Sequence, residues 1–302
     1  MKPLTTFLVI VLIVAVAVGI LIRVIDLNPN DPNPGATAAS GGSAAPAVGG
    51  SPETRAPSGS ILVTLVSSST KRDWLDQVVG QFNAAGKRTA TGAPIVVEVS
   101  HTRSGSSMNN ILEGGSKPVV WSPGDQSWVT LINENWRQRE NRLLISQACQ
   151  PTVYAPIGFA MWQPMAEALG WPDTPIGWDT IVELAADPDG WSTYGRPEWG
   201  KFRFGHSHPA YSNTGLLSMT SFVHGIVGDG SPLDGDQVYQ TSVEEAMRSL
   251  QQNTTKYGRG STALFDLMVE QGPAYVHAIA ASEETTLRYN LNNSDELRFP
   301  LA

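Results

Sequence analysis

The sequence has very little cysteine and no excess of positive charge. Its 302 residues include one cysteine, Cys149, and lysine and arginine number 20 against 28 aspartates and glutamates. A single thiol excludes an intramolecular disulfide and a cysteine-based zinc or iron–sulfur site. The formal net charge of -8 leaves no surplus for the basic surface that duplex nucleic acid requires, so no nucleic-acid partner is expected.

One long hydrophobic run stands at the N-terminus. The 19 residues from Leu4 to Ile22 are uncharged, with Lys2 and Arg23 on either side. A helix of that length spans about 28 Å, close to the roughly 30 Å hydrocarbon core of a bilayer. The run predicts a single-pass transmembrane anchor over residues 1–27, with the soluble part outside the cytoplasm. A secretory signal peptide cleaved after Ala17 is the alternative.

A segment poor in large apolar side chains follows. Residues 28–60 comprise 33 positions, 24 of which are Pro, Gly, Ala or Ser. Such a composition cannot bury enough apolar surface to fold, and it predicts a disordered linker. The folded part is therefore expected to begin near Ile61.

Predicted strands and helices alternate beyond the linker. The β-branched runs typical of strands are Ile61–Val66, Ile95–Val99 and Val119–Ser122. Trp74, Val78 and Phe82 recur at i, i+4 and i+8, which predicts an amphipathic helix behind a Ser or Thr cap. Alternation at this spacing predicts an α/β fold with a parallel sheet, whose ligands bind beyond the carboxyl ends of the strands.

The second half of the sequence continues the alternation. Its predicted helices are Ser127–Asn141, Trp178–Ala185, Ser212–Val227, Ser242–Gln251 and Ser261–Glu270. Its predicted extended segments are Val153–Met161, Lys201–Gly205 and Tyr275–Ala281. Ser242 and Glu245 have the spacing of a capping box, which predicts where that helix begins.

Four motifs carry a family resemblance. They are Ser67-Ser68-Ser69-Thr70-Lys71, Val119-Val120-Trp121-Ser122-Pro123, the run Ile157–Met165, and the block from Pro197 through His206 to Leu216. With them, the chain from about residue 60 onward resembles bacterial extracellular solute-binding proteins of the two-lobed type II periplasmic-binding fold. Some larger relatives carry a von Willebrand A domain after the binding unit.

The resemblance implies the domain organisation and the role of the chain. Residues 61–152 would form lobe 1, and residues 153–302 a hinge near Gln150–Ile157 followed by lobe 2. A type II protein returns its chain to lobe 1 at the end, whereas this sequence stops at Ala302, so the return segment is expected to be missing. The implied function is capture of a small ligand for ABC transport, with a permease or a signalling partner and without catalysis.

Polar residues at predicted helix starts form the candidate binding site. The resemblance assigns ligand binding to Ser68, Ser69, Ser106, Ser122, Ser212, Asn213 and Thr214, with Lys71 adding charge and Trp121 a stacking surface. Hydroxyls and N–H groups at helix N-termini favour a small anion, so an oxyanion is the preferred ligand. The alternatives are ordinary capping for each hydroxyl, a solvated lysine and a core tryptophan.

No sequence pattern indicates a cofactor, a metal or a catalytic group. His206 and His208 have no third ligand nearby in the sequence, so a metal site is not expected. Two other functions remain open: a sensing or protein-interaction ectodomain of the same fold, and a hydrolase. A hydrolase would need Ser207 within hydrogen-bond reach of His101 or His224.

Overall fold

The computed structural model describes residues 58–228 and 233–292. The predicted anchor (residues 1–27), most of the predicted linker (residues 28–60) and residues 293–302 lie outside this range. None of the helices in the described ranges combines the length and the hydrophobicity that crossing a bilayer requires.

Lobe 1, as we call residues 58–140, contains a three-stranded parallel sheet of order β2-β1-β3. Its strands are β1 (Ile61–Ser68), β2 (Ile95–Thr102) and β3 (Val120–Ser122). Its helices are α1 (Arg72–Ala84), α2 (Ser104–Leu112) and α3 (Gln126–Glu140). Because the strands are parallel, their carboxyl ends lie at one edge of the sheet, where the chain enters each helix.

Helix α1 departs from its prediction in two respects. A 3-10 turn, Ser69–Lys71, precedes it, and Lys71 at the N-cap makes no side-chain capping bond. The predicted Ser or Thr cap is therefore wrong, since the Ser68 hydroxyl bonds instead to the Thr70 hydroxyl at 2.9 Å. The apolar stripe is also incompletely covered, because Trp74 and Val78 remain 41% and 40% exposed.

Residues 141–156 connect the two lobes without regular secondary structure. Helix α3 ends where Asn141 adopts a left-handed conformation (φ 50°), which asparagine tolerates better than most residues. We call residues 141–156 the linking segment. It contains all but the last residue of the predicted hinge, Gln150–Ile157.

Lobe 2, residues 157–292, contains a mixed four-stranded sheet of order β4-β7-β5-β6. Its strands are β4 (Ile157–Met161), β5 (Phe204–Ser207), β6 (Thr254–Gly258) and β7 (Ala278–Ser282). β4 runs antiparallel to β7, and the other neighbours are parallel. Its helices are α4 (Gln163–Ala168), α5 (Trp178–Ala186), α6 (Asn213–Val227), α7 (Gly235–Val238), α8 (Thr241–Asn253), α9 (Ser261–Gln271) and α10 (Glu283–Asn292).

Several boundaries in lobe 2 differ from those predicted. β5 and β7 each begin three residues later than the sequence pattern indicated. The capping box predicted at Ser242 and Glu245 is wrong, because α8 begins at Thr241 and Gln240 occupies its N-cap without a side-chain hydrogen bond. β6 was not predicted, because Thr254-Thr255-Lys256-Tyr257-Gly258 alternates with few apolar residues, as suits an edge strand.

The main hydrophobic core lies in lobe 2. Its central aromatic residues include Phe159, Trp178, Phe204 and Phe222, with edge-to-face ring contacts at centroid distances of 4.7–6.2 Å. A smaller buried cluster of Trp128, Leu131 and Leu216 joins α3 of lobe 1 to α6 of lobe 2. Lobe 1 therefore depends on its contact with lobe 2 for much of its apolar burial.

His277 is a fully buried residue that ties a loop to the lobe 2 sheet. Its Nδ1 accepts hydrogen bonds from the indole N–H of Trp191 at 2.9 Å and from the backbone N–H of Arg203 at 3.2 Å. Burial, together with the nearby Arg203 charge, lowers the pKa of His277 to about 3. The folded protein therefore holds the neutral imidazole, whose Nδ1 is the acceptor.

We expect acid to destabilise the protein through this histidine. Below pH 6.5 the unfolded chain binds a proton at His277 that the folded chain does not take up until about pH 3. The free energy of unfolding should fall by up to about 1.4 kcal/mol per pH unit in this window. Urea denaturation from pH 8 to pH 4 measures the slope.

The comparison of two variants isolates His277 from other histidines. Burial also lowers the pKa of His206 and of His208, so these residues add to the slope in the same direction. His277→Gln should flatten the slope, whereas His224→Gln, which removes an exposed histidine, should preserve it. Equal slopes in both variants would contradict the prediction.

Candidate functional site

A cavity of about 1230 Å³ lies between the lobes, and the linking segment forms part of its wall. Five of the nine predicted ligand-binding residues line it: Lys71, Trp121, Ser122, Asn213 and Thr214. The structure thus brings the turn after β1, the end of β3 and the start of α6 to one place. The other four predicted residues, Ser68, Ser69, Ser106 and Ser212, do not line this cavity.

Lys71 provides a fixed positive charge on the cavity wall. Its Nζ donates to the Ser122 hydroxyl at 2.6 Å and to the Pro123 carbonyl at 3.1 Å. Both acceptors are uncharged, and no carboxylate within the described ranges forms an ion pair with this ammonium group. Burial lowers the pKa of Lys71, and the Coulombic effect of the nearby Cys149 sulfur acts in the opposite direction.

The start of α6 forms the opposite wall. Ser212 caps this helix, because its Oγ accepts from the Gly215 N–H at 3.3 Å and from the Ser207 hydroxyl at 2.8 Å. The Thr214 hydroxyl donates to Ser261 at 3.1 Å, so it too is engaged within lobe 2. The backbone N–H groups of Asn213 and Thr214, by contrast, have no acceptor among the described residues. Unpaired N–H groups at the start of a helix are suited to binding an anion.

The backbone of lobe 2 covers the N-terminus of α2. The backbone N–H of Gly105 donates to the Tyr211 carbonyl at 3.0 Å. The two backbones approach so closely that a Cβ on Gly105 would lie 2.1 Å from the Ala210 carbonyl oxygen. Ser106, next in the chain, accepts a 3.4 Å hydrogen bond from the Arg103 side chain. A protein carbonyl therefore takes the place that an anion would occupy at this helix N-terminus.

A second contact between the lobes centres on Asn213. Its Oδ1 accepts from the indole N–H of Trp128 at 2.9 Å. A Cβ on Gly124 would lie 2.4 Å from the Asn213 Cγ, so this approach also requires glycine. The side chain of Asn213 thus holds the lobes together, and the same residue lines the cavity.

The remaining predicted residues have structural partners. Ser68 is buried at the end of β1, and Ser69 begins the 3-10 turn before α1. Trp121 donates its indole N–H to the Ser107 hydroxyl at 3.0 Å and packs against the cluster that joins the lobes. Trp121 therefore lines the cavity and also packs against the cluster that joins the lobes.

The predicted ligand-binding residues do not include the part of the wall that the linking segment forms. Cys149, Thr152 and Val153 line the cavity, as does Ser282 at the end of β7. None of these residues belongs to a motif. Cys149, Thr152 and Val153 reach the site because the chain crosses between the lobes here, and Ser282 because β7 ends there. Cys149, the single cysteine of the sequence, is exposed at the site.

The described residues contain no arrangement typical of catalysis or metal binding at the predicted positions. The Ser207 hydroxyl donates to Ser212 rather than to a histidine, and His101 pairs with Asp76 at 2.7 Å. Within residues 58–228 and 233–292, no group of three or more His, Cys, Asp or Glu side chains could hold a metal ion. The geometry therefore gives no support to a hydrolase at Ser207.

Two α/β lobes, a linking segment and a cavity between them define a two-lobed binding protein. A family model described as bacterial extracellular solute-binding protein matches residues 63–299, and the chain belongs to this family. The resemblance predicted from the sequence is confirmed, and the family places the folded part outside the cytoplasm. No curated protein sequence matches the chain at a significant level.

Solved structures with the same fold share little sequence with this chain. The sulfate-binding protein SubI from Mycobacterium tuberculosis H37Rv is 13% identical, with a TM-score of 0.50 over 80% of this chain and 69% of that chain. A periplasmic thiamin-binding protein is 14% identical, with a TM-score of 0.49 over 80% and 68% of the two chains. The likeness to SubI supports the type II periplasmic-binding fold and carries no information about the ligand.

We expect Gly105→Ala to separate the two lobes at α2. The added Cβ would overlap the Ala210 carbonyl and break the hydrogen bond from Gly105 to Tyr211. Overpacking of this kind costs roughly 1–3 kcal/mol. Urea denaturation should report that loss, and small-angle X-ray scattering should report a larger radius of gyration.

Gly80→Ala is the matched control for this prediction. Gly80 lies within α1, and nothing is within 4 Å of the position where its Cβ would be. Alanine there should stabilise the protein by up to about 1 kcal/mol without changing its dimensions. If Gly105→Ala left both the stability and the radius of gyration at wild-type values, the close contact between the lobes would be refuted.

Proposed function

We propose that the protein captures a small anionic solute between its two lobes, outside the cytoplasm. The observation that carries this proposal is the Lys71 ammonium group, held on the cavity wall by two uncharged oxygens. Taking a charge out of water without a counter-charge is costly, and an anionic ligand would remove that cost. The site therefore favours an anion over a neutral solute.

Contacts from both lobes support capture between them. Lys71 and Ser122 belong to lobe 1, whereas the unpaired N–H groups of Asn213 and Thr214 stand at the start of a lobe 2 helix. An anion held by all of them would bridge the lobes and favour their closed arrangement. Delivery of the captured solute to a membrane permease is the role that we propose for the closed form.

Lys71→Met should abolish anion binding, because it removes the charge and retains an apolar side chain of similar length. We would screen sulfate, phosphate, acetate and hexanoate against the full chain in lipid nanodiscs. The readout is the rate at which N-ethylmaleimide alkylates Cys149, the one cysteine in the sequence and an exposed residue of the cavity wall. At least one anion should slow alkylation of the wild-type chain tenfold or more.

Lys87→Met is the matched control, since Lys87 is exposed and is not part of the cavity wall. Protection of Cys149 should persist in this variant and disappear in Lys71→Met. Protection that survives in Lys71→Met, or that only uncharged sugars provide, would contradict the proposal.

We also propose that residues 1–27 anchor the protein in the membrane. The proposal rests on the 19-residue uncharged run from Leu4 to Ile22. After carbonate washing, the protein should remain with the membranes, and its intact mass should correspond to a chain that begins at Met1 or Lys2. A soluble chain that begins after Ala17 would show instead that the run is a cleaved signal peptide.

A further inference from the structure

We infer that the solute is an organic monoanion with an apolar body, such as a medium-chain carboxylate, rather than an inorganic oxyanion. This inference rests on the proposed function and narrows its ligand class. It departs from the oxyanion that the sequence favoured. Three properties of the cavity lead to it: the charges on its wall, the position of its polar groups, and its size and lining.

The charges on the wall suit a single negative charge. Four ionisable side chains other than Cys149 and Tyr154 line the cavity: Lys71, Glu113, Lys117 and Asp125. Glu113 and Lys117 are exposed, and the Asp125 carboxylate accepts from the Ser127 N–H at the start of α3. Among these four side chains, Lys71 is thus the one partly buried charge that neither pairs with another charged side chain nor caps a helix. This one ammonium group matches the charge of a monoanion in full, and only one of the two charges of a dianion such as sulfate.

The polar groups that lie around Lys71 form a cluster in the cavity wall. Lys71 bonds to Ser122 and Pro123, the next residue is Gly124, and Gly124 lies against Asn213. This chain of contacts places the lysine, the hydroxyl and the start of α6 beside one another. An anionic head bound here would leave the rest of the ligand to occupy the remainder of the cavity.

The cavity is large, and apolar side chains form much of its wall. Its wall includes Ile111, Leu112, Val129, Trp136, Leu144 and Leu217. The volume of about 1230 Å³ is somewhat larger than the roughly 300–1,000 Å³ of sites that bind organic ligands. A tetrahedral oxyanion would fill a small part of it and leave water against these side chains, whereas an apolar body would displace that water.

A chain-length series tests the inference on the full chain in nanodiscs. Acetate, butyrate, hexanoate and sulfate are compared by the concentration of each that halves the alkylation rate of Cys149. This concentration should fall about fourfold per added methylene, the factor that corresponds to about 0.8 kcal/mol. Hexanamide, which has the same body without the charge, should bind at least tenfold more weakly than hexanoate.

Val129→Thr tests the apolar wall with little change of shape. Val129 lies on α3 in the cavity wall, and a hydroxyl there should raise the half-protection concentration of hexanoate several-fold while that of acetate changes little. Val78→Thr is the matched control, because Val78 is an exposed residue of α1 outside the cavity and should have no effect.

The outcomes separate this inference from the proposed function. If sulfate or acetate protects Cys149 as well as hexanoate does, and Lys71→Met abolishes that protection, the ligand class is wrong while anion capture stands. If hexanamide protects as well as hexanoate, the role of Lys71 is wrong and both proposals fail. If no anion in the series protects Cys149, both proposals are likewise overturned.

Discussion

The close approach of the two lobes at Gly105 is the constraint on which the site depends. A hydrogen bond of 3.0 Å joins the backbone of α2 to the carbonyl of Tyr211, at a distance that no side chain on residue 105 would permit. Gly124 allows a second contact, with Asn213. These two glycines fix where the start of α6 stands relative to β3. The cavity and its polar cluster follow from that placement.

The two lobes differ in how they are stabilised. Lobe 2 surrounds its sheet with helices and encloses an aromatic core, whereas α1 in lobe 1 contains no buried residue. In the cluster that joins the lobes, Trp128 and Leu131 of lobe 1 are buried together with Leu216 of lobe 2. Changes at the contact between the lobes should therefore affect stability as well as ligand capture.

The electrostatics of the site arise from pairing lysine with neutral acceptors. Ser122 and Pro123 orient the ammonium group of Lys71 without neutralising it. At the start of α6, the Ser212 hydroxyl accepts from the Ser207 hydroxyl and the Gly215 N–H, and the Thr214 hydroxyl donates to Ser261, so both hydroxyls are engaged within lobe 2. The fold is shared with proteins as little as 13% identical. The ligand class is consequently a property of these few side chains rather than of the fold.

The sequence by itself determined the alternation of strands and helices, the family and the polar ends of the lobe 1 strands, because these depend on local periodicity and on contiguous motifs. It also placed five residues of the cavity wall. It failed for β6 and for the start of α8, where pairing and packing with distant segments outweigh local preference. Only the tertiary structure decided that Lys71 lacks a carboxylate partner among the described residues and that the linking segment encloses the site. Both facts depend on which distant parts of the chain meet, and no local pattern contains that information.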